Sequence, residues 1–144
     1  MDDENEIRDK MLAIIRGKAK EIYSEKIVEY GTNPGNYGRI DLPDGYAKNT
    51  DACGESIEVF LKVANGKIAD SRFMSNGCIF TVAACNAAAE MAKGKTVHDC
   101  ITINRSSIMS HLGGVPEDHE HCALSAALVF QRALRNYITG CRLK

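Results

Sequence analysis

Ile57, Val59, Leu61 and Val63 alternate with Glu58, Phe60 and Lys62, a period of two that marks a strand with one face on the core. Asn65-Gly66 follows, the residue pair that supplies the positive φ angles of a tight turn, so Lys67 to about Met74 reads as the return strand of a hairpin. Elsewhere the period is helical. From about Glu4 to Tyr30, Ile7, Met11, Ile14, Ile15, Ile22, Ile27 and Tyr30 recur at mostly three- and four-residue steps, with Gly17 and Ser24 as points where the helix divides. Gly31 to Asn36, with Pro34 inside it, ends that helix. A loop-rich region runs on to about Asp51, in which Gly38 to Leu42 reads as a short strand before the turn signal Pro43-Asp44-Gly45. Beyond the hairpin, Asn76-Gly77-Cys78 leads into an Ala-rich helix, Thr81 to Lys93, with Val82, Cys85, Ala89 and Ala92 in register and Gly94 at its stop. Its small residues imply close packing on the sheet. A short helix is predicted over Val97 to Ile101, another from an N-cap at Ser106 or Ser107 to Gly113-Gly114, and a last one from about His121 to Tyr137. Leu124, Ala127, Leu128, Leu134 and Ile138 form its expected buried stripe. Helix, hairpin and then a run of helices argue an α+β fold, its antiparallel sheet covered on one face.

Composition adds a question to this picture. A chain of 144 residues, 44% hydrophobic and 26% charged, folds as one domain. At that length roughly 68–70% of the unfolded surface is hidden, a sufficient core without disulfides. The six cysteines need another reason. A formal net charge of −1 leaves no footprint for non-specific nucleic-acid binding. The longest apolar runs, Thr81 to Ala89 and Ala123 to Phe130, fall well short of the ~20 residues of a membrane span. Met1 to Glu6 is acidic where a secretory leader is basic and then apolar, so a cytoplasmic, thiol-reducing location is expected.

Three cysteines fall at element ends. Cys53 precedes the first hairpin strand and Cys78 follows the second, so antiparallel pairing brings these two thiols together. Cys122 opens the last helix, where backbone N–H groups favour a thiolate. Thiolates are the ligands of zinc and iron–sulfur centres, and Glu55 or His121 is placed to supply a fourth donor. The spacing contains no C-x-x-C pair, and buried core cysteines are an equally simple reading of the pattern. Cys85 and Cys100 read as small core residues, Cys141 as an exposed terminal one. Gly94-Lys95-Thr96 is no phosphate loop, because it follows a helix and lacks the leading glycine. Asn104-Arg105-Ser106 reads as a helix-entry cap rather than a glycosylation site. His98 and His111 read as surface or packing residues, while His119 neighbours the site without being counted among its ligands.

With these residues in place, the chain resembles the IscU/NifU-like iron–sulfur cluster assembly scaffolds. The likeness runs from about Tyr23 to Tyr137, through Tyr23-Ser24-Glu25-Lys26, Asn33-Pro34-Gly35-Asn36-Tyr37-Gly38, Ala52-Cys53-Gly54-Glu55, Phe73-Met74-Ser75-Asn76-Gly77-Cys78, Gly94-Lys95-Thr96 and His121-Cys122. The resemblance implies a three-stranded antiparallel sheet packed against helices, a single domain over 1–144, and residues 1–22 as a helical extension atypical of the family. It implies a site of Cys53, Glu55, Cys78, His121 and Cys122 holding a [2Fe–2S] cluster, with zinc as an occupant on isolation. Cys122 is the expected acceptor of persulfide sulfur. The implied partners are a cysteine desulfurase, recipient apo iron–sulfur proteins and a second copy of the chain, with neither nucleic acid nor membrane. The implied role is that of a scaffold or carrier, not a turnover enzyme. A zinc-bound, SufU-like sulfur-transfer protein is the alternative, and a purely structural zinc domain a third class.

Four departures qualify the transfer. Glu55 stands where the family has aspartate, which puts its ligand role in question. Ile79 follows Cys78 where glycine is common. Val115-Pro116-Glu117-Asp118-His119 replaces a Leu-Pro-Pro-Val-Lys chaperone motif, so a dedicated Hsp70-type chaperone is not supported, and His119 stands in for the lysine. The span from Cys78 to Cys122 is too short for the insertion of the SufU-like branch, which favours the scaffold branch.

Overall fold

In the computed structural model, residues 24–52 and 54–143 are described, the side chains of 141–143 excepted. The helix expected over residues 4–22, the atypical extension and Cys53 lie outside them, as does the side chain of Cys141.

Helix α1, Glu25–Thr32, starts where Ser24 caps it, its hydroxyl accepting from the Ile27 amide at 3.1 Å. It runs through Gly31 rather than ending there. Gly31 is needed for contact: a Cβ on it would lie 2.2 Å from Cγ1 of Ile79. The strand expected at Gly38 to Leu42 does not form. Leu42 has φ 51° and is 88% exposed, a conformation that no strand residue adopts. The pairing begins instead after the turn, with β1 at Gly45–Thr50, paired antiparallel to β2, Ser56–Ala64, from Gly45 opposite Leu61 to Thr50 opposite Ser56. β3, Lys67–Ser75, returns from the Asn65-Gly66 turn, whose φ values of 54° and 75° are those the pair was expected to supply. The sheet order is β1-β2-β3.

Ile57, Val59, Leu61, Ile68 and Phe73 pass into the core cluster. Phe60, on the alternate face, is buried as well, flanked by Tyr46 with ring centroids 5.2 Å apart. Helix α2, Ile79–Ala92, begins two residues before the expected start and buries almost its whole circumference, as its alanines permit, between α1, β3 and the last helix. Gly94 ends the turn after it at φ 80°. Gly94 and Lys95 then pair with Ile68 through bonds of 2.9 Å, and Thr96 bridges Lys67, so Gly-Lys-Thr serves as a sheet-edge contact.

A 3₁₀ turn over Asp99–Thr102 replaces the short helix placed at Val97 to Ile101. Helix α3, Arg105–His111, is capped by Asn104 and not by Ser106 or Ser107: Asn104 Oδ1 accepts from the Ser107 amide at 2.9 Å and Ser107 Oγ from the Asn104 amide at 2.8 Å. A second 3₁₀ turn, Glu117–His119, leads into α4, Glu120–Leu143. α4 lies across β1 and β2 and against α2. Its stripe holds at Ala127, Leu134 and the partly buried Ile138 and departs at two leucines. Leu124 and Leu128 are 43% and 51% exposed, while Cys122, Ala123, Ala126, Ala127, Val129, Phe130, Ala133 and Leu134 face the core. Gly45 explains the choice of small residues: a Cβ there would lie 2.6 Å from the Ala133 carbonyl, so strand and helix meet backbone to backbone, leaving no room for leucines between them.

Candidate metal centre

The ends of β2, β3, α2 and α4 converge at one edge of the sheet. Two loops are tied together there. Asn76 Oδ1 accepts from the Ser56 amide at 2.7 Å, Asn76 Nδ2 donates to the Gly54 carbonyl at 3.2 Å, and Ser75 Oγ donates to the Ser56 carbonyl at 2.7 Å. Gly54 and Ser56 are thereby joined to the segment that leads into Cys78, as the antiparallel pairing of the hairpin requires. Gly77 makes the approach possible, since a Cβ on it would lie 2.3 Å from Glu55 Oε1.

Cys78 is the N-cap of α2 and is exposed. Cys122 is the third residue of α4 and is 2% exposed. Their sulfurs are 3.9 Å apart and neither is in a disulfide. His121 Nε2 lies 3.6 Å from Cys122 Sγ. Glu55, His121 and Cys122 line a small cavity of about 30 Å³ together with Asp51, Thr81 and Ser125. Of the five expected site residues, four therefore occupy one edge of the fold and the fifth, Cys53, lies outside the described residues. The Glu55 carboxylate accepts from Thr81 Oγ1 at 2.5 Å.

Sequence reasoning passed over Thr81 and placed His119 beside the site without counting it as a ligand. Thr81 stands three positions after Cys78, on the same side of α2, with its hydroxyl 3.6 Å from Cys78 Sγ. The i, i+3 spacing from a helix cap was the available signal. His119, on the 3₁₀ turn, offers a ring nitrogen that lies with Cys78 Sγ and Cys122 Sγ in a set whose members are all within 4.8 Å of one another. Its ring stacks on Phe80, centroids 3.8 Å apart and planes 15° off parallel.

One physical expectation fails. Burial pushes the Cys122 thiol up to about 11, opposed by a hydrogen bond from Thr81 and helped by the neighbouring Cys78, against the lowering expected at a helix start. Cys85 and Cys100 are buried as expected, and burial raises both thiols. His111 is a packing residue, its Nε2 3.2 Å from the Tyr30 hydroxyl. Among the described residues no helix is long and apolar enough to cross a membrane.

Thiols and imidazoles gathered at the ends of a small antiparallel sheet and two helices form a candidate metal centre in an α+β protein. Residues 22–141 match the NifU-like N terminal domain, and the chain belongs to that family. It is 35% identical over 117 residues to the iron–sulfur cluster assembly scaffold protein IscU 1 of Archaeoglobus fulgidus, covering 81% of this chain and 76% of that protein. In fold it matches a nitrogen-fixing NifU-like protein (N-terminal) from Brucella abortus, with a TM-score of 0.63 at 18% identity over 80% of this chain and 93% of that one. It also matches a chain described as an iron–sulfur cluster assembly scaffold for the SUF system from Fervidobacterium islandicum, with a TM-score of 0.55 at 20% identity over 83% and 96% of the two chains. Both of these likenesses are of fold. The α+β architecture with its three-stranded antiparallel sheet is the one the sequence implied.

Proposed function

We propose that this protein is a scaffold for iron–sulfur cluster assembly. The observation that carries the reading is the pair of sulfurs of Cys78 and Cys122 at 3.9 Å, joined by imidazole donors, in a chain whose relatives bear that name. On this reading Cys53, Cys78 and Cys122, with His121 or Glu55, hold a [2Fe–2S] cluster as cargo, and zinc fits the same soft donors on isolation. A cysteine desulfurase delivers the sulfur. The Cys122 thiolate attacks the sulfane sulfur of the enzyme's persulfide, a new S–S bond forms on Cys122, and the desulfurase thiolate leaves. With the thiol held neutral, His121 Nε2 at 3.6 Å is the base within reach of its proton. The cluster then passes to apo iron–sulfur proteins, and the protein acts as carrier, not turnover enzyme. The location is cytoplasmic, a second copy of the chain is a natural partner at an edge-placed site, and residues 1–144 form one domain with 1–22 as its extension.

The span from Cys78 to Cys122 holds α2, α3 and two 3₁₀ turns, and the alternative is a zinc-bound, SufU-like sulfur-transfer protein using the same donors. Anaerobic reconstitution with a desulfurase, cysteine and ferrous iron tests the reading. Visible charge-transfer bands with matching iron and sulfide are expected. A colourless protein that holds zinc and never gains sulfide would establish the sulfur-transfer role instead, and a protein that unfolds when chelated would mark a structural zinc site.

A further inference from the structure

Taking the site as a metal centre, we propose that His119 is itself a ligand, completing with Cys78 and Cys122 a three-donor seat for one divalent transition-metal ion, zinc or ferrous iron. The distances carry this. Two sulfurs at about 2.3 Å from one tetrahedral ion stand roughly 3.8 Å apart, and a nitrogen at about 2.0 Å stands slightly closer to each. Cys78 Sγ and Cys122 Sγ are 3.9 Å apart, and a His119 ring nitrogen lies within 4.8 Å of both. An ion enters with small movement of three side chains, and each cysteine gives up its thiol proton to solvent as the metal–sulfur bonds form.

The ring is also presented rather than loose. Phe80, two residues along α2 from Cys78, stacks against it at 3.8 Å, so the helix that places the first sulfur also fixes the plane of the imidazole. His121 occupies a different quarter. Its Nε2 is 3.6 Å from Cys122 Sγ, it lines the cavity shared with Glu55, and its ring centroid is 6.3 Å from that of His119. Cys122 thus has two imidazoles near its sulfur, His119 in one set with Cys78 and His121 beside the cavity that Glu55 also lines. The lysine that the resemblance places at this position has a compact cationic head with no acceptor, and cannot ligate in that form.

Zinc titration against a chromophoric chelator, with zinc-edge X-ray absorption on the loaded samples, tests the proposal in the full chain. His119→Phe keeps a ring on Phe80 and removes the donor; His121→Phe and Cys78→Ser are its companions, and far-UV circular dichroism confirms that each variant folds. The expected result is one nitrogen scatterer fewer and at least about tenfold weaker zinc binding in His119→Phe. Wild-type affinity and nitrogen count in His119→Phe, or loss of the nitrogen in His121→Phe instead, would overturn the proposal. Cys78→Ser separates the two levels of the argument. If it too binds zinc as wild type does, the metal sits elsewhere and the scaffold reading falls with it, whereas loss in Cys78→Ser alone removes only the role of His119.

Discussion

Cys78 and Cys85 are carried by one helix, α2, and have nothing else in common. Cys78 caps the helix, is exposed, and faces a second sulfur at 3.9 Å. Cys85 stands in mid-helix, 3% exposed, among alanines and aromatic rings of the core, with a thiol driven strongly upward by burial. Cys122 shows which difference matters. It is as buried as Cys85, yet its neighbours are a thiol and two imidazoles. Burial alone therefore does not separate a core cysteine from a ligand. Position does, because chain segments converge at element ends and bring donors from several of them, while Cys85, in mid-helix, is packed mainly among apolar side chains even though Cys122 and Glu55 are near enough to raise its thiol further.

The largest effects should follow that division. Cys78→Ser and Cys122→Ser should weaken zinc binding by more than about 100-fold, measured by chelator competition. Cys85→Ala should bind zinc as wild type does and lose about 1 kcal/mol of stability in urea unfolding. A reversed pattern would break the comparison. Two glycines sharpen it next. A methyl on Gly45 meets the Ala133 carbonyl in the core, and one on Gly77 meets both the Glu55 carboxylate and, at 2.9 Å, Cβ of buried Thr81, so each should cost about 2 kcal/mol, the second also displacing Glu55 from Thr81. Among the four described cysteine side chains, alkylation by iodoacetamide at pH 8, followed by peptide mass mapping, should label Cys78 first, Cys122 more slowly, and Cys85 and Cys100 last.

The smallest effect is on pH. The Cys122 thiol is raised from 9.0 to about 11, so the folded protein holds this proton more tightly than the unfolded chain. The stability this contributes is fully present below about pH 9 and is lost as pH rises toward 11. Cys122→Ala should flatten the alkaline limb of the stability profile.

Much of the fold was legible because its signals are local. Alternation from Ile57 to Val63 and the Asn65-Gly66 pair located the hairpin, and hairpin geometry then placed the Cys53 segment beside Cys78. β1 was missed because Gly45 to Thr50 reads as polar and irregular; its pairing depends on contact with β2 and α4, which no local pattern records. The buried face of α4 was misread at Leu124 and Leu128 for a related reason. Leucines are a good guide to a core with space, but a backbone-to-backbone contact at Gly45 selects alanines. At the site, Cys78, Cys122 and His121 could be named from element ends. His119 could not, because its approach to Cys78 depends on a 3₁₀ turn and on stacking with Phe80, both tertiary.

The most direct test of the account is paired: anaerobic iron and sulfide reconstitution of Cys78→Ser and Cys85→Ala beside wild type, followed by absorption spectra and iron and sulfide analysis. The account predicts that Cys85→Ala acquires iron and sulfide in the wild-type ratio and that Cys78→Ser acquires neither. A Cys78→Ser protein that assembles a cluster as readily as Cys85→Ala does would contradict it.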